Sequence, residues 1–153
     1  MRQVERGQLW VMRMHALIAG LILLIPAIIA AFVLMQNTRL PGWIIPALVL
    51  VAAAYAVLIA PVRRYRALRY ALDAEELHIA RGVWTQVETL VPLVRVQHID
   101  VSQGPIERAF KVSRLVLHTA GTLNSLVVLP GLSREGAEAM RDEIRARIKQ
   151  TEG

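Results

Sequence analysis

Two long stretches without a charged residue constrain this chain more than any other feature of its sequence. Residues 16–35 and residues 43–62 contain no Asp, Glu, Lys or Arg, and most of their side chains are aliphatic. A helix of such a length extends about 30 Å, which is the thickness of the hydrocarbon core of a bilayer. The two stretches therefore predict two membrane-spanning helices and exclude a purely soluble globule.

The basic start of the chain raises the alternative of a cleaved signal peptide. Arg2, Arg6 and Arg13 precede the first apolar stretch, as in the basic region of a signal sequence. However, the apolar region of a signal peptide has only about 7–15 residues, and here a second apolar stretch follows after the short connector 36–42. We therefore expect an uncleaved hairpin of two antiparallel spans.

The distribution of basic residues predicts how this hairpin is oriented. Three Arg precede the first span and one lies in the connector, whereas four follow the second span: Arg63, Arg64, Arg66 and Arg69. Because Lys and Arg are retained on the cytoplasmic side, we expect both termini in the cytoplasm. The same four Arg would attract anionic lipid headgroups by about 1 kcal/mol each.

The remaining sequence predicts one small domain rich in β-strands. The expected division is an N-terminal segment 1–15, the hairpin 16–62 and a domain 63–153. Apolar runs and alternating patterns predict strands that are interrupted by a helical turn, and the runs are residues 70–72, 77–81, 83–92, 94–101, 112–119 and 123–129, with the turn at 106–110. The dipeptide Ala120-Gly121 predicts the last hairpin turn, and Pro130-Gly131 predicts the end of the β region.

The C-terminus has the pattern of an amphipathic helix. Ser133 is a typical N-cap residue, and Ala137, Met140, Ile144 and Ile148 recur on one helical face. Strands followed by one helix favour an α+β domain, in which a β-sandwich or barrel is covered at one end by the helix.

One continuous run resembles a known bacterial family. The run Val91-Pro92-Leu93-Val94-Arg95-Val96-Gln97-His98-Ile99-Asp100-Val101-Ser102-Gln103-Gly104-Pro105-Ile106-Glu107-Arg108 and the stretch 112–121 are similar to the bacterial membrane-flanked, pleckstrin-homology-like (PH-like) domain of the YdbS type. The order of two spans, a basic segment, strands and a last helix also fits that family. One departure is Lys111, where the family pattern has Gly after the Phe.

The resemblance implies a PH-like fold in the bacterial inner membrane. It also implies a membrane protein partner, such as a larger relative with several domains of this kind. The family has no assigned activity, and the fold alone does not determine a function. Homo-oligomers remain open, because small residues at four-residue spacing, such as Ala16 and Gly20, are able to pack helices together.

The candidate sites favour binding over catalysis. His98 and Asp100 share one face of a predicted strand, which is compatible either with an acid–base pair or with a structural network. We expect the network, and therefore no enzyme, because no nucleophile accompanies the pair. The chain has no Cys, and its four His lack the spacing of a metal site, so we expect no cofactor and no metal. The soluble part carries no recognition motif for nucleic acid, and we therefore expect that the protein does not bind nucleic acid.

Polar residues gather around the predicted turn at Gly104-Pro105. They either line a partner or ligand site or brace the turn, and they are Arg95, Gln97, His98, Asp100, Gln103, Glu107 and Arg108. We favour bracing, because a Gly-Pro break leaves backbone groups that need hydrogen-bond partners. Two functions remain as expectations. The first is a membrane-anchored interaction module within a membrane protein complex, and the alternative is a factor that binds or handles anionic lipid headgroups at the inner leaflet.

Overall fold

The computed structural model describes residues 1–37, 43–120 and 126–151, which form two compact units. The hairpin unit is Met12–Arg63, and the β-rich unit combines Met1–Val11 with Arg64–Gly153. The β-rich unit therefore includes the first residues of the chain, which the sequence pattern had placed in a separate N-terminal segment.

Helix α1 is Gly7–Asn37, α2 is Ile44–Leu58 and α3 is Ala60–Ala67. The hairpin unit contains most of α1, all of α2 and the first half of α3, whereas the second half of α3 belongs to the β-rich unit. The segments Gly7–Val33 and Ile44–Ala67 are long and apolar enough to cross a membrane, and few of their side chains are buried. Soluble monomers rarely expose this much apolar surface. The predicted connector lies mostly outside the described residues.

One antiparallel sheet belongs to the first part of the β-rich unit. Its strands are β1 (Arg2–Gln3), β2 (Arg69–Leu72), β3 (Glu76–Arg81) and β4 (Val87–Pro92), in the order β1-β2-β3-β4. The alternating burial of β3 follows its sequence, because Leu77 and Ile79 point into the core while their neighbours are partly exposed.

A second antiparallel sheet contains β5 (Val96–Ser102), β6 (Ser113–Thr119) and β7 (Leu126–Leu132), in the order β5-β6-β7. The short helix α4 (Pro105–Ala109) connects β5 to β6. This order leaves β5 at one edge of the sheet.

The C-terminal helix α5 (Arg134–Thr151) completes the β-rich unit. Ala137 and Ile144 of its predicted apolar face are fully buried, and α5 packs against β5 and β6. The Gly136 N–H donates to Ser133 Oγ over 3.0 Å, which confirms the predicted N-cap. The α+β class is confirmed, although the two sheets of the described residues do not close into a barrel.

The structure corrects the bounds of three predicted strands. Strand β4 begins at Val87 rather than 83, because Gly82 has a φ of +111° and opens a loop there. A 3-10 turn at Leu93–Arg95 delays the start of β5. Strand β7 continues through Pro130 to Leu132, since Pro is tolerated in an edge strand beside a bulge. Gly121 of the predicted hairpin turn and Leu123, the predicted start of the last strand, lie outside the described residues.

Helix α4 ends in a turn that explains the departure at Lys111. The Val112 N–H donates to the Glu107 carbonyl over 2.9 Å, and the Lys111 N–H donates to the Arg108 carbonyl over 3.2 Å. This pair of bonds defines a Schellman motif, in which the residue at the Lys111 position is usually Gly. Lys111 indeed has a φ of +55°, in the left-handed region that costs a residue with a Cβ about 1–2 kcal/mol.

The substitution Lys111→Gly is therefore expected to stabilise the β-rich unit. Relief of the left-handed strain outweighs the extra entropy of an unfolded Gly, so the net gain should be about 0.5–1 kcal/mol. Thermal unfolding of the full chain in detergent should show a rise of a few degrees, whereas Lys111→Ala should show none. Equal midpoints for the Gly and Ala variants would contradict this assignment.

The N-terminal residues are held tightly within the β-rich unit. Strand β1 pairs with β2, the Glu5 N–H donates to the Gly131 carbonyl over 2.7 Å, and the Tyr65 hydroxyl donates to the Val4 carbonyl over 3.0 Å. Trp10 stacks on Phe110 with ring centroids 6.4 Å apart. A domain cut out at Arg63 would lose all of these contacts.

Candidate functional site

A groove lined by residues of the edge strand β5 and helix α5 forms a concave surface on the β-rich unit. We call it the β5–α5 groove. It consists of a larger cavity of about 1020 Å³ and a smaller one of about 510 Å³, which share Ile99, Asp100 and Arg145 as lining residues. The groove follows from topology, because among the described residues β5 pairs with β6 alone, and α5 packs against both of these strands.

The larger cavity lies along the backbone of β5. Residues 96–100 line it in unbroken succession, together with His118 from β6 and with Arg145, Ile148 and Lys149 from α5. Most of this lining is partly or fully exposed, while Ile99 is buried and anchors β5 to the core.

The smaller cavity is polar and rich in Arg. Arg108 of α4 meets Arg134, Arg141 and Arg145 of α5 around it, and Gln103, Ser113, Asp100 and Glu138 complete its polar lining. Ser113 is only 1% exposed, and its hydroxyl has no hydrogen-bond partner among the described residues. A buried hydroxyl without a partner is rare in folded proteins and marks a place where an incoming group is able to bond.

The ion pairs of α5 leave part of the positive charge of the cavity uncompensated. Arg134 Nε lies 3.1 Å from Glu138 Oε1, and Arg141 Nε lies 2.9 Å from Asp142 Oδ1. The hydrogen bond from Arg141 lowers the pKa of the Asp142 carboxyl, so that this pair stays ionised. Within the described residues Arg145 has no carboxylate within 4.0 Å, although it is near enough to Asp142 to help lower the pKa of that carboxyl. Arg145 is exposed and lines both cavities.

The structure brings most of the predicted polar face together at the groove. Five of the predicted residues line one or both cavities, and these are Gln97, His98, Asp100, Gln103 and Arg108. Arg95 lies in the exposed 3-10 turn before β5 and does not line either cavity.

Glu107 has a different place, because it braces the turn at Gly104. Its side chain is only 7% exposed and accepts two hydrogen bonds from Arg114, from Nη2 over 2.9 Å and from Nε over 3.2 Å. It also accepts the Gly104 N–H over 2.7 Å. Gln103 adds a bond from its Nε2 to the Val112 carbonyl over 2.9 Å. These bonds hold α4 and the ends of β5 and β6 at the groove.

Asp100 contacts a histidine, although the partner is not the one that the strand pattern suggests. Asp100 Oδ2 lies 3.2 Å from Nε2 of His118, on the neighbouring strand β6. His98 lies directly opposite His118 in the β5–β6 register. The three side chains line the larger cavity as a cross-strand cluster.

The predicted basic segment lies elsewhere. Arg63, Arg64 and Arg66 are exposed on α3, and Arg69 is exposed at the start of β2. None of the four lines the β5–α5 groove. The basic segment and the groove are therefore separate candidate surfaces.

The sequence pattern did not reveal the contribution of α5 to the groove. Arg134, Glu138, Arg141 and Arg145 are spaced by four, three and four residues, which places them on one face of a helix. That spacing was visible in the sequence, but its meaning depends on β5 lying opposite. Across residues 1–37, 43–120 and 126–151, no cluster of three or more His, Asp or Glu is able to hold a metal ion.

Comparisons with known proteins agree with the resemblance. The family model described as "Bacterial PH domain" matches residues 7–148. UPF0699 transmembrane protein YdbS of Bacillus subtilis (strain 168) is 31% identical over 153 residues, which cover 98% of this chain and 94% of the relative. UPF0699 transmembrane protein YdbT of the same organism is 26% identical over 86 residues, which cover 56% of this chain and 17% of that protein. No solved structure matches. With a family match over nearly its whole length, the chain belongs to the bacterial PH domain family.

Proposed function

We propose that this protein is a membrane-anchored PH-like interaction module whose β5–α5 groove docks a partner membrane protein. One observation carries the proposal, which is that a free strand edge and a positively charged helix face border the same concave surface. Such a surface suits recognition of another chain, and we propose a binding role rather than catalysis.

The similar proteins suggest what kind of partner to expect. YdbT is much longer than this chain, because the matching segment covers only 17% of it. A larger relative of that kind would place a related domain in the same membrane. We propose such a protein as the partner of this chain.

The proposed location is the bacterial inner membrane, with both termini in the cytoplasm. The apolar helices α1 and α2 support an anchor, and the excess of Arg after the second span supports this orientation.

A second candidate function rests on the basic segment. Arg63, Arg64, Arg66 and Arg69 are all exposed, and each would gain about 1 kcal/mol near an anionic lipid surface. In this alternative the protein binds or handles lipid headgroups, and the β5–α5 groove has no role.

The test is purification of the tagged full-length protein in a mild detergent, followed by mass spectrometry of proteins and lipids. We expect a membrane protein in stoichiometric amount from cells that carry the wild-type protein. Arg145→Glu reverses a charge in the groove. It should lower the amount of co-purifying partner about tenfold, because one repulsive contact between like charges at an interface costs about 1–3 kcal/mol.

Two matched variants make the result specific. Arg81→Glu makes the same charge change on an exposed residue outside the groove and should retain the partner. Replacement of the four Arg of the basic segment by Gln should retain it too. If Arg145→Glu keeps the partner, or if only the basic-segment variant changes what co-purifies and the change is in lipid, then headgroup binding replaces the docking function.

A further inference from the structure

The free edge of β5 is exposed to the groove through its main chain. Side chains of successive strand residues point to opposite faces of a sheet. Residues 96–100 nevertheless all line the same cavity, so this cavity lies beside the strand edge and not over one face. Backbone N–H and C=O groups on an open edge are able to pair with another strand.

We propose that β5 accepts an extended acidic segment of the partner protein as an added strand. This inference rests on the proposed docking function and names the chemistry of the docked segment. β5 has seven residues, and at about 3.3 Å per residue a docked strand of similar length would fill the groove from one cavity to the other.

Charge complementarity selects an acidic segment. The side chains that line the two cavities include five basic residues, namely Arg108, Arg134, Arg141, Arg145 and Lys149, and only two acidic ones, Asp100 and Glu138. Both acidic side chains contact basic groups of this chain, His118 and Arg134. Arg145 lines both cavities, and an Arg side chain is able to bond a carboxylate through two parallel N–H groups.

A buried hydroxyl gives independent support. Ser113 lines the Arg-rich cavity, and its Oγ is shielded from bulk water and has no hydrogen-bond partner among the described residues. A docked carboxylate would accept this hydroxyl hydrogen and remove the cost of burying it, which is about 1–3 kcal/mol.

The experiment uses the full-length protein in detergent micelles and defined peptides as probes. The main probe is a fluorescent eight-residue peptide that alternates Val and Glu. One comparison peptide alternates Val and Lys, and another repeats the Val–Glu sequence with every backbone nitrogen methylated. Fluorescence anisotropy gives the affinities, and hydrogen exchange locates the bound peptide.

We expect the Val–Glu peptide to bind and the two comparison peptides to bind at least about tenfold more weakly. The Val–Lys peptide would be repelled by the basic side chains, and the methylated peptide would lack the N–H groups for main-chain hydrogen bonds. Arg145→Glu should lower the affinity for the Val–Glu peptide by a similar factor, while Arg81→Glu should leave this affinity unchanged. Amide exchange within Val96–Ser102 should slow when the peptide is bound.

The inference is overturned if the methylated peptide binds as tightly as the unmodified one, since charge alone would then explain binding. Equal binding of the Val–Lys peptide, protection confined to the basic segment, or no binding at all would overturn it too. If the co-purifying membrane protein is still lost from Arg145→Glu in any of these cases, docking at the groove stands and only the added strand is wrong. If that protein is never captured or does not depend on Arg145, the docking function itself fails.

Discussion

The substitution Gly131→Ala should destabilise the β-rich unit by about 2–5 kcal/mol, which combines the cost of left-handed backbone with that of overpacking. Gly131 has a φ of +81°, a conformation that residues with a Cβ rarely adopt. An added Cβ would also lie 2.8 Å from Cβ and Cγ of Gln8 and 3.0 Å from Cβ of Val4. Both neighbours are buried, so neither has free space to move into.

Two measurements check this prediction in the full-length protein. The midpoint temperature of thermal unfolding in detergent should fall by roughly 10 °C or more, because a loss of 1 kcal/mol in stability lowers it by about 4–8 °C for a domain of this size. Limited trypsin digestion should cleave after Arg2 and Arg6 faster than in the wild type, since the Cβ clash pushes residues 1–11 away from β7.

Gly104→Ala is the matched control for Gly131→Ala. Gly104 has a φ of −77°, which any residue adopts, and an added Cβ would meet its nearest neighbour, Glu107 Oε2, at 3.4 Å. Its unfolding temperature should therefore stay close to that of the wild type. Equal behaviour of the two Ala variants would show that the N-terminal segment does not pack against β7 as described.

The substitution Glu107→Ala should cost about 2–4 kcal/mol, because it removes a buried charged acceptor that serves the Gly104 N–H and two N–H groups of Arg114. The Gly104 N–H would lose its acceptor, and Arg114 would lose both of its bonds to the carboxylate. The Arg114 side chain is 43% exposed and would regain water, which keeps the loss below that of a fully buried pair.

Glu107→Gln separates the contribution of shape from that of charge. An amide oxygen still accepts the Gly104 N–H, so the loss should be about half of that for Ala. Glu138→Ala removes an exposed carboxylate paired with Arg134, and it should change stability by less than about 1 kcal/mol. Chemical unfolding of the three variants would contradict the bracing role if Glu107→Ala behaved like Glu138→Ala.

Local patterns were sufficient for the helices and for part of the sheet. Runs of uncharged residues predicted α1 and α2, and the alternation at 77–81 predicted β3. The bounds differ, because α1 begins at Gly7, before the first run, and the second run is divided between α2, which ends at Leu58, and α3, which begins at Ala60. Ser133 predicted the start of α5, since an N-cap acts within a single helical turn. These predictions depend only on neighbours a few positions away, and therefore the sequence was enough to make them.

The ends of strands and the long-range packing were harder to predict from the sequence, because they depend on residues that are distant along the chain. Val83 continues an apolar alternation, but the backbone of Gly82 turns the chain there. Pro130 is a strand breaker in most contexts, yet at this edge position β7 continues through it. At Lys111 the resemblance led us to expect Gly, and the chain there adopts the left-handed φ that Gly favours.

The sequence by itself determined that the chain has two apolar helices and a β-rich domain with a capped C-terminal helix, because hydropathy, periodicity and capping are local properties. Only the tertiary structure decided that residues 1–11 belong to that domain, through contacts with Phe110 and Gly131. Only the tertiary structure placed Arg145 of α5 opposite the open edge of β5. The β5–α5 groove depends on strand order and on helix packing, and neither is encoded in any single stretch of the chain.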